Sequence, residues 1–125
     1  MNKTLIALSV ACLGMTLSAQ SMAASSTLET VKARGQLICG VNTAAPGFAS
    51  VDSKGNWTGL DVDVCRAVAA ATLGDASKVK FVPLSSPQRF TALQAGEIDM
   101  LARNTSWTMN RDTTTGALFT AVTYY

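Results

Sequence analysis

Gly59-Leu60-Asp61-Val62-Asp63-Val64-Cys65-Arg66-Ala67-Val68-Ala69-Ala70-Ala71-Thr72-Leu73-Gly74 decides the fold class. Its Ala-rich interior favours helix, two acids sit near the positive end of the helix dipole, and Gly74 suits a left-handed C-cap. The spacing predicts a helix opening at Asp61 or Asp63 and running to about Leu73. Val64, Val68 and Ala71 recur with helical period, as do Cys65, Ala69 and Leu73. So wide an apolar face requires a sheet to pack on.

Working outward, the flanking segments supply that sheet. Leu37-Ile38-Cys39-Gly40-Val41 is an apolar run of strand length, and Lys78 to Leu84 reads as the second strand. Ser86 with Pro87 at the first helical position predicts another helix, ended by Gly96, and Ile98 to Ala102 the third strand. Ser26-Thr27-Leu28-Glu29 matches a capping box for a short first helix that Gly35 terminates. Asp52 to Asn56 is a turn before the short Trp57-Thr58-Gly59 segment, and Phe119 to Tyr125 is a further apolar stretch. Strand, helix, strand, helix, strand predicts an α/β layer with a mostly parallel sheet. Ligands of such sheets gather beyond the carboxyl ends of the strands, which places residues 42–48, 84–86 and 103–108 along one rim.

Before this layer stands a different kind of segment. Met1-Asn2-Lys3 is a positive start, Leu5 to Leu17 is apolar, and Ser21 and Ala23 are small residues at −3 and −1. This order is that of a secretory signal peptide over residues 1–23, cleaved before Ala24. Its apolar core of about 13 residues is short of the roughly 20 that span a bilayer. Of 125 residues, about 102 then form the mature chain, enough for one modest domain. Without Lys3 the balance is nine basic residues against eight acidic, a net +1. A near-neutral chain without a basic run argues against a nucleic-acid partner. There is no histidine, which removes Ser-His-Asp and Cys-His catalysis and any His-ligated metal; no cofactor is expected.

Export also alters the reading of the cysteines. Losing Cys12 with the leader leaves Cys39 and Cys65, an even pair in a disulfide-favouring compartment and outside any C-x-x-C unit. A Cys39–Cys65 disulfide is the expectation; two separate buried thiols are the alternative.

The densest polar chemistry lies in residues 103–112. Asn104 and Ser106 offer acceptors for an ammonium group, and Arg111 a planar fork for a carboxylate. Thr108 is placed to cap a short helix containing Arg111, leaving backbone N–H groups for the same anion. Together they suit the zwitterionic head of an α-amino acid, although composition alone is that of a solvated polar loop. Asp61 and Asp63, two apart at a helix start, do not face one another, and no third ligand is near. Helix capping and dipole stabilisation therefore explain them better than a metal does. Phe48 and Trp57 are each a stacking wall or core, Phe48 being the better ligand candidate.

The Gly59–Val64 string is similar to the signature of bacterial solute-binding proteins of family 3, the periplasmic receptors of polar amino-acid ABC transporters. Arg89-Phe90-Thr91-Ala92-Leu93-Gln94-Ala95-Gly96-Glu97-Ile98-Asp99 resembles their F-x-x-L-x-x-G-x-x-D corner. The segment from Arg103 to Thr108, ending in Arg111-Asp112, looks most like the general L-amino-acid-binding branch, and Cys39 with Cys65 fits that branch too. The resemblance implies lobe one of a type II periplasmic-binding-protein fold, incomplete at residue 125 because the second lobe and the C-terminal return are missing. It implies that Arg111 binds the α-carboxylate, with Thr108 in support, and that Asn104 and Ser106 help to hold the ammonium and carboxylate. Asn42 stands where receptors for basic amino acids often carry an acid, and Ala45 where some members have an aromatic. Phe48 keeps a stacking surface. Arg103 replaces a small hydroxyl residue and reaches toward acidic or amide side chains, pointing to Glu, Asp, Gln or Asn as ligand. The implied partner is an inner-membrane permease, and the implied full-length form is a periplasmic monomer that performs no chemistry. Two rival readings are a periplasmic enzyme on the same fold, similar to cyclohexadienyl dehydratase, and a non-functional fragment of the receptor.

Overall fold

The computed structural model describes residues 26–125; the expected leader and its cleavage site lie outside them. Helix α1 (Thr27–Arg34) starts at Ser26, whose hydroxyl accepts the Glu29 N–H, and stops at Gly35 in the left-handed conformation. Strand β1 (Leu37–Asn42) follows, then a hairpin of β2 (Ser50–Val51) and β3 (Trp57–Thr58). Its turn is tied by the Asp52 carboxylate, which accepts the backbone N–H groups of Lys54 and Asn56. After α2 (Leu60–Leu73) come β4 (Val79–Leu84), α3 (Arg89–Gln94), β5 (Met100–Leu101) and α4 (Met109–Thr114).

The main sheet has the order β4-β1-β5, all parallel, with Leu37 opposite Val79 and Cys39 opposite Met100. Alternation along β1 sends side chains to two cores, as expected of a parallel sheet covered on both faces. Cys39 and Val41 pack with Val62, Cys65, Ala49 and Ala102 on the α2 side. On the other side Ile38, Val82 and Leu84 meet Ala92 and Ile98. Gly40 lets them pack closely: a Cβ there would lie 2.7 Å from Ile98 Cδ1 and 2.9 Å from Leu84 Cδ1, and those side chains would have to shift. Val41 and Val62 are fully buried, each contributing about 1.5–3 kcal/mol. A Cys39–Cys65 disulfide, with Cα atoms 6.1 Å apart, joins β1 to α2.

Several boundaries differ from the sequence reading. Helix α2 starts at Leu60 with Gly59 as N-cap and no side-chain cap, so neither Asp61 nor Asp63 caps it. The first rim loop supplies the partners instead: Leu60 N–H donates to Gly47 O at 3.0 Å and Asp61 N–H to Phe48 O at 2.9 Å. Ala71 is exposed, the buried stripe being Asp61, Val62, Cys65 and Ala69. Helix α3 begins at Arg89, because Gln88 Oε1 accepts from the Ser85 N–H and hydroxyl and holds the preceding residues in a turn. Strand β5 covers only two residues of the expected five. On its leading side the Ile38 N–H turns to the Asp99 carboxylate, at 2.7 Å, rather than to a backbone carbonyl. Residues 119–125 form no strand; Phe119 stacks on Trp107 and Tyr124 packs on Phe48.

Gly59 has φ +122°, and a Cβ there would lie 2.4 Å from Phe48 O. Gly59→Ala is expected to cost about 1–3 kcal/mol through backbone strain and to push the first rim loop off α2. A melting midpoint equal to the parent's would contradict this.

Candidate functional site

The carboxyl ends of β1, β4 and β5 meet at one edge, and buried Arg103 crosses it. Its Nη1 donates to Leu84 O at 2.9 Å, closing the end of β4 against the end of β5. Its Nη2 reaches the Ser86 hydroxyl and Asn104 Oδ1, each at 3.4 Å. Asn42 Nδ2 donates to the same Asn104 oxygen at 2.9 Å. Asn42, Arg103 and Asn104 are thus one network. The Asn104 oxygen, expected to accept from an ammonium group, already receives two donors, so a third partner would displace one of them.

Ser106, Thr108 and Arg111 make a second, local network. Thr108 Oγ1 accepts the Arg111 N–H at 3.3 Å and caps α4, so that N–H is engaged by its own cap. Arg111 Nη1 donates to Ser106 O at 2.8 Å, and the guanidinium lies 5.9 Å over the Phe90 ring. Half-buried Arg111 is thereby held in place through Nη1 and its ring contact. Phe48 is half-buried, its ring 4.7 Å from that of Tyr124. Trp57 packs on Phe81, 5.7 Å away, as part of the core.

Two charged residues that the sequence reading did not select are also buried. Arg89 is buried, sits 5.1 Å over the same Phe90 ring, and leaves its Nε without a partner. Burial lowers its pKa, and the charges of Arg103 and Arg111 lower it further, so three guanidinium groups share one region. Ala92, also buried, is one helical turn from Arg89; that spacing was the available signal. Asp61 is 1% exposed with Oδ2 unpaired, and it lies on the stripe of Cys65 and Ala69. Burial raises its pKa and Arg103 opposes the rise. Burial lowers the Arg103 pKa while Asp61 and Tyr124 oppose the fall. Three guanidinium groups against one buried carboxylate leave the rim electropositive, a setting that attracts anions. Among the described residues no three His, Cys, Asp or Glu side chains are grouped to hold a metal.

The family model for bacterial extracellular solute-binding proteins, family 3, matches residues 37–122. The chain is 58% identical over 105 residues to the general L-amino acid-binding periplasmic protein AapJ of Rhizobium johnstonii, covering 84% of this chain and 31% of that protein. It is 58% identical over 103 residues to the glutamate/glutamine/aspartate/asparagine-binding protein BztA of Rhodobacter capsulatus, covering 82% of this chain and 30% of that one. Among solved structures, a periplasmic binding protein from Brucella ovis with glutathione bound superposes with TM-score 0.72 at 61% identity, over 74% of this chain and 29% of that one. The chain spans about a third of the length of the curated relatives it matches. Its parallel sheet flanked by helices is part of a type II periplasmic-binding-protein domain.

Proposed function

The chain belongs to the bacterial extracellular solute-binding proteins, family 3, and on that premise we propose that it carries one wall of an amino-acid site in the solute-binding component of an ABC transporter. The observation that carries the proposal is the carboxyl edge of a parallel sheet where buried Arg103 reaches Leu84 O, Ser86 and Asn104, with Arg89 and Arg111 both over the Phe90 ring. Arg111 takes the α-carboxylate, supported by Thr108, and Asn104 and Ser106 help to hold the ammonium and carboxylate groups, the Asn104 oxygen by giving up one of its two present donors. Arg103, with Asn42 beside Asn104, faces the ligand side chain, and Phe48 supplies an apolar wall. The surplus of positive charge favours ligands with acidic or amide side chains. The name of BztA, a relative at 58% identity, agrees with that class, while that of AapJ, also at 58%, speaks of L-amino acids in general. Export to the periplasm through a leader over residues 1–23, and delivery of ligand to a membrane permease, complete the reading.

Binding rather than catalysis fits a chain without histidine, whose rim carries no paired carboxylates for acid–base work. The test is calorimetric titration of the complete gene product with a panel of L-amino acids, beside a turnover assay on prephenate and arogenate. Binding of glutamate, glutamine, aspartate or asparagine without turnover is expected. Absence of all amino-acid binding would overturn the ligand assignment, and turnover of either substrate would replace the receptor by an enzyme.

A further inference from the structure

Phe90 is half-buried on α3, yet it belongs to none of the core clusters formed by the described residues, although Ala92 and Leu93 of the same helix pack with Leu84 and Ile98. Its ring faces charge instead. The Arg111 guanidinium lies over it at 5.9 Å from the ring centre and that of Arg89 at 5.1 Å, both within the range at which the negative face of an aromatic ring attracts a cation. The contact joins two elements, Phe90 standing on α3 and Arg111 on α4. The same helices are tied at their C-terminal ends, where Gln94 Nε2 donates to Thr115 O and the Thr115 N–H donates to Arg111 O at 3.2 Å. The bond from Arg111 Nη1 to Ser106 O, at 2.8 Å, fixes one nitrogen of the guanidinium. The ring supplies the second point of support that a planar fork needs if it is to meet a carboxylate with two bonds. Arg89, buried and with Nε unpartnered, brings a second positive charge to that ring. The shared ring gives both cations an attraction where they would otherwise only repel.

We propose that Phe90 is a positioning residue of the amino-acid site: its ring holds the Arg111 guanidinium in the orientation that takes the α-carboxylate. The proposal rests on the amino-acid-binding reading above. Phe90 acts through Arg111, by sparing the side chain the ordering it would otherwise undergo when the anion arrives. Every α-amino acid carries the same carboxylate, so the ring raises affinity without choosing among ligand side chains.

The test is calorimetric titration of the complete gene product with mono-, di- or trifluorinated phenylalanine incorporated at position 90. Fluorine nearly preserves the size of the ring and drains its negative face. Affinity is expected to fall stepwise along the series, alike for each L-amino acid that the parent binds, and by about fivefold at its end. Phe90→Leu, apolar but without a ring, should show a loss of the same size, and Phe90→Tyr should stay near the parent. Packing alone would leave the fluorinated series flat, because the shape of the side chain hardly changes. A flat series, or a loss confined to ligands with acidic side chains, overturns the proposal while leaving the receptor reading intact. Parent protein that binds no L-amino acid sinks both.

Discussion

Replacing Arg111 by alanine is expected to weaken glutamate and glutamine binding at least thirtyfold, the equivalent of ~2 kcal/mol for a lost charge-assisted contact. The loss should be this large because the wall is already arranged around the guanidinium. Ser106 O holds Nη1 at 2.8 Å and the Phe90 ring lies beneath, so little ordering remains to be done when an anion arrives. The fold should tolerate the change, since the Thr108 cap uses the backbone N–H of residue 111, which alanine retains. Stability is expected to fall by about 1 kcal/mol or less, the size of the surrendered cation–π contact. Arg111→Lys keeps the charge and loses the planar fork, and belongs between parent and alanine variant. Calorimetry reads all three, and alanine-variant affinities equal to the parent's for both ligands would remove Arg111 from the site.

Arg111 illustrates what a sequence can disclose about such a site. It stands three residues from its cap and five from the carbonyl that holds its guanidinium, so the hydrogen bonds are local and only the Phe90 ring comes from farther along the chain. The Gly74 and Gly35 stops and strands β1 and β4 were legible for the same reason: each follows from neighbouring residues. What stayed hidden depends on distant parts of the chain. Asn42 meets Asn104 across 62 positions, and the start of α2 is completed by carbonyls of the 43–49 loop rather than by an acid side chain. Asp61 was misjudged because acids at a helix start are usually solvated partners of the dipole. Here the docking of that loop, with Asp61 N–H on Phe48 O, goes with a side chain only 1% exposed. Strand β5 is short because one side chain, Asp99, takes a ladder position that the apolar pattern assigns to backbone. Arg89 shares its helix with a solvent-facing Gln94, and its place over the Phe90 ring, which Arg111 also covers, emerges only in the fold.

Reduction of the Cys39–Cys65 disulfide is expected to destabilise the protein by about 3–4 kcal/mol, because the bond closes a 26-residue loop and removes that much freedom from the unfolded chain. Against a total of roughly 5–15 kcal/mol for an ordinary domain, this is a large share. Reduction is a cleaner perturbation than double substitution, since both sulfurs stay in a core where Cys39 and Cys65 are 0% exposed and no cavity is made. Denaturant titration with and without reductant should show the lower midpoint, and intact mass after alkylation should show no free thiol at either position until reductant is added. Two alkylatable thiols in material purified from the periplasm, or coincident titrations, would reject the expectation. The consequence reaches the rim. The bond fixes α2 to β1, and α2 carries Asp61 and anchors the Phe48 carbonyl while β1 ends at Asn42. Reduced protein held below its midpoint should therefore lose ligand affinity before it loses helix, because the first rim loop with Phe48 leans on α2 while Asn42 ends β1, and without the bond α2 is held to β1 by packing.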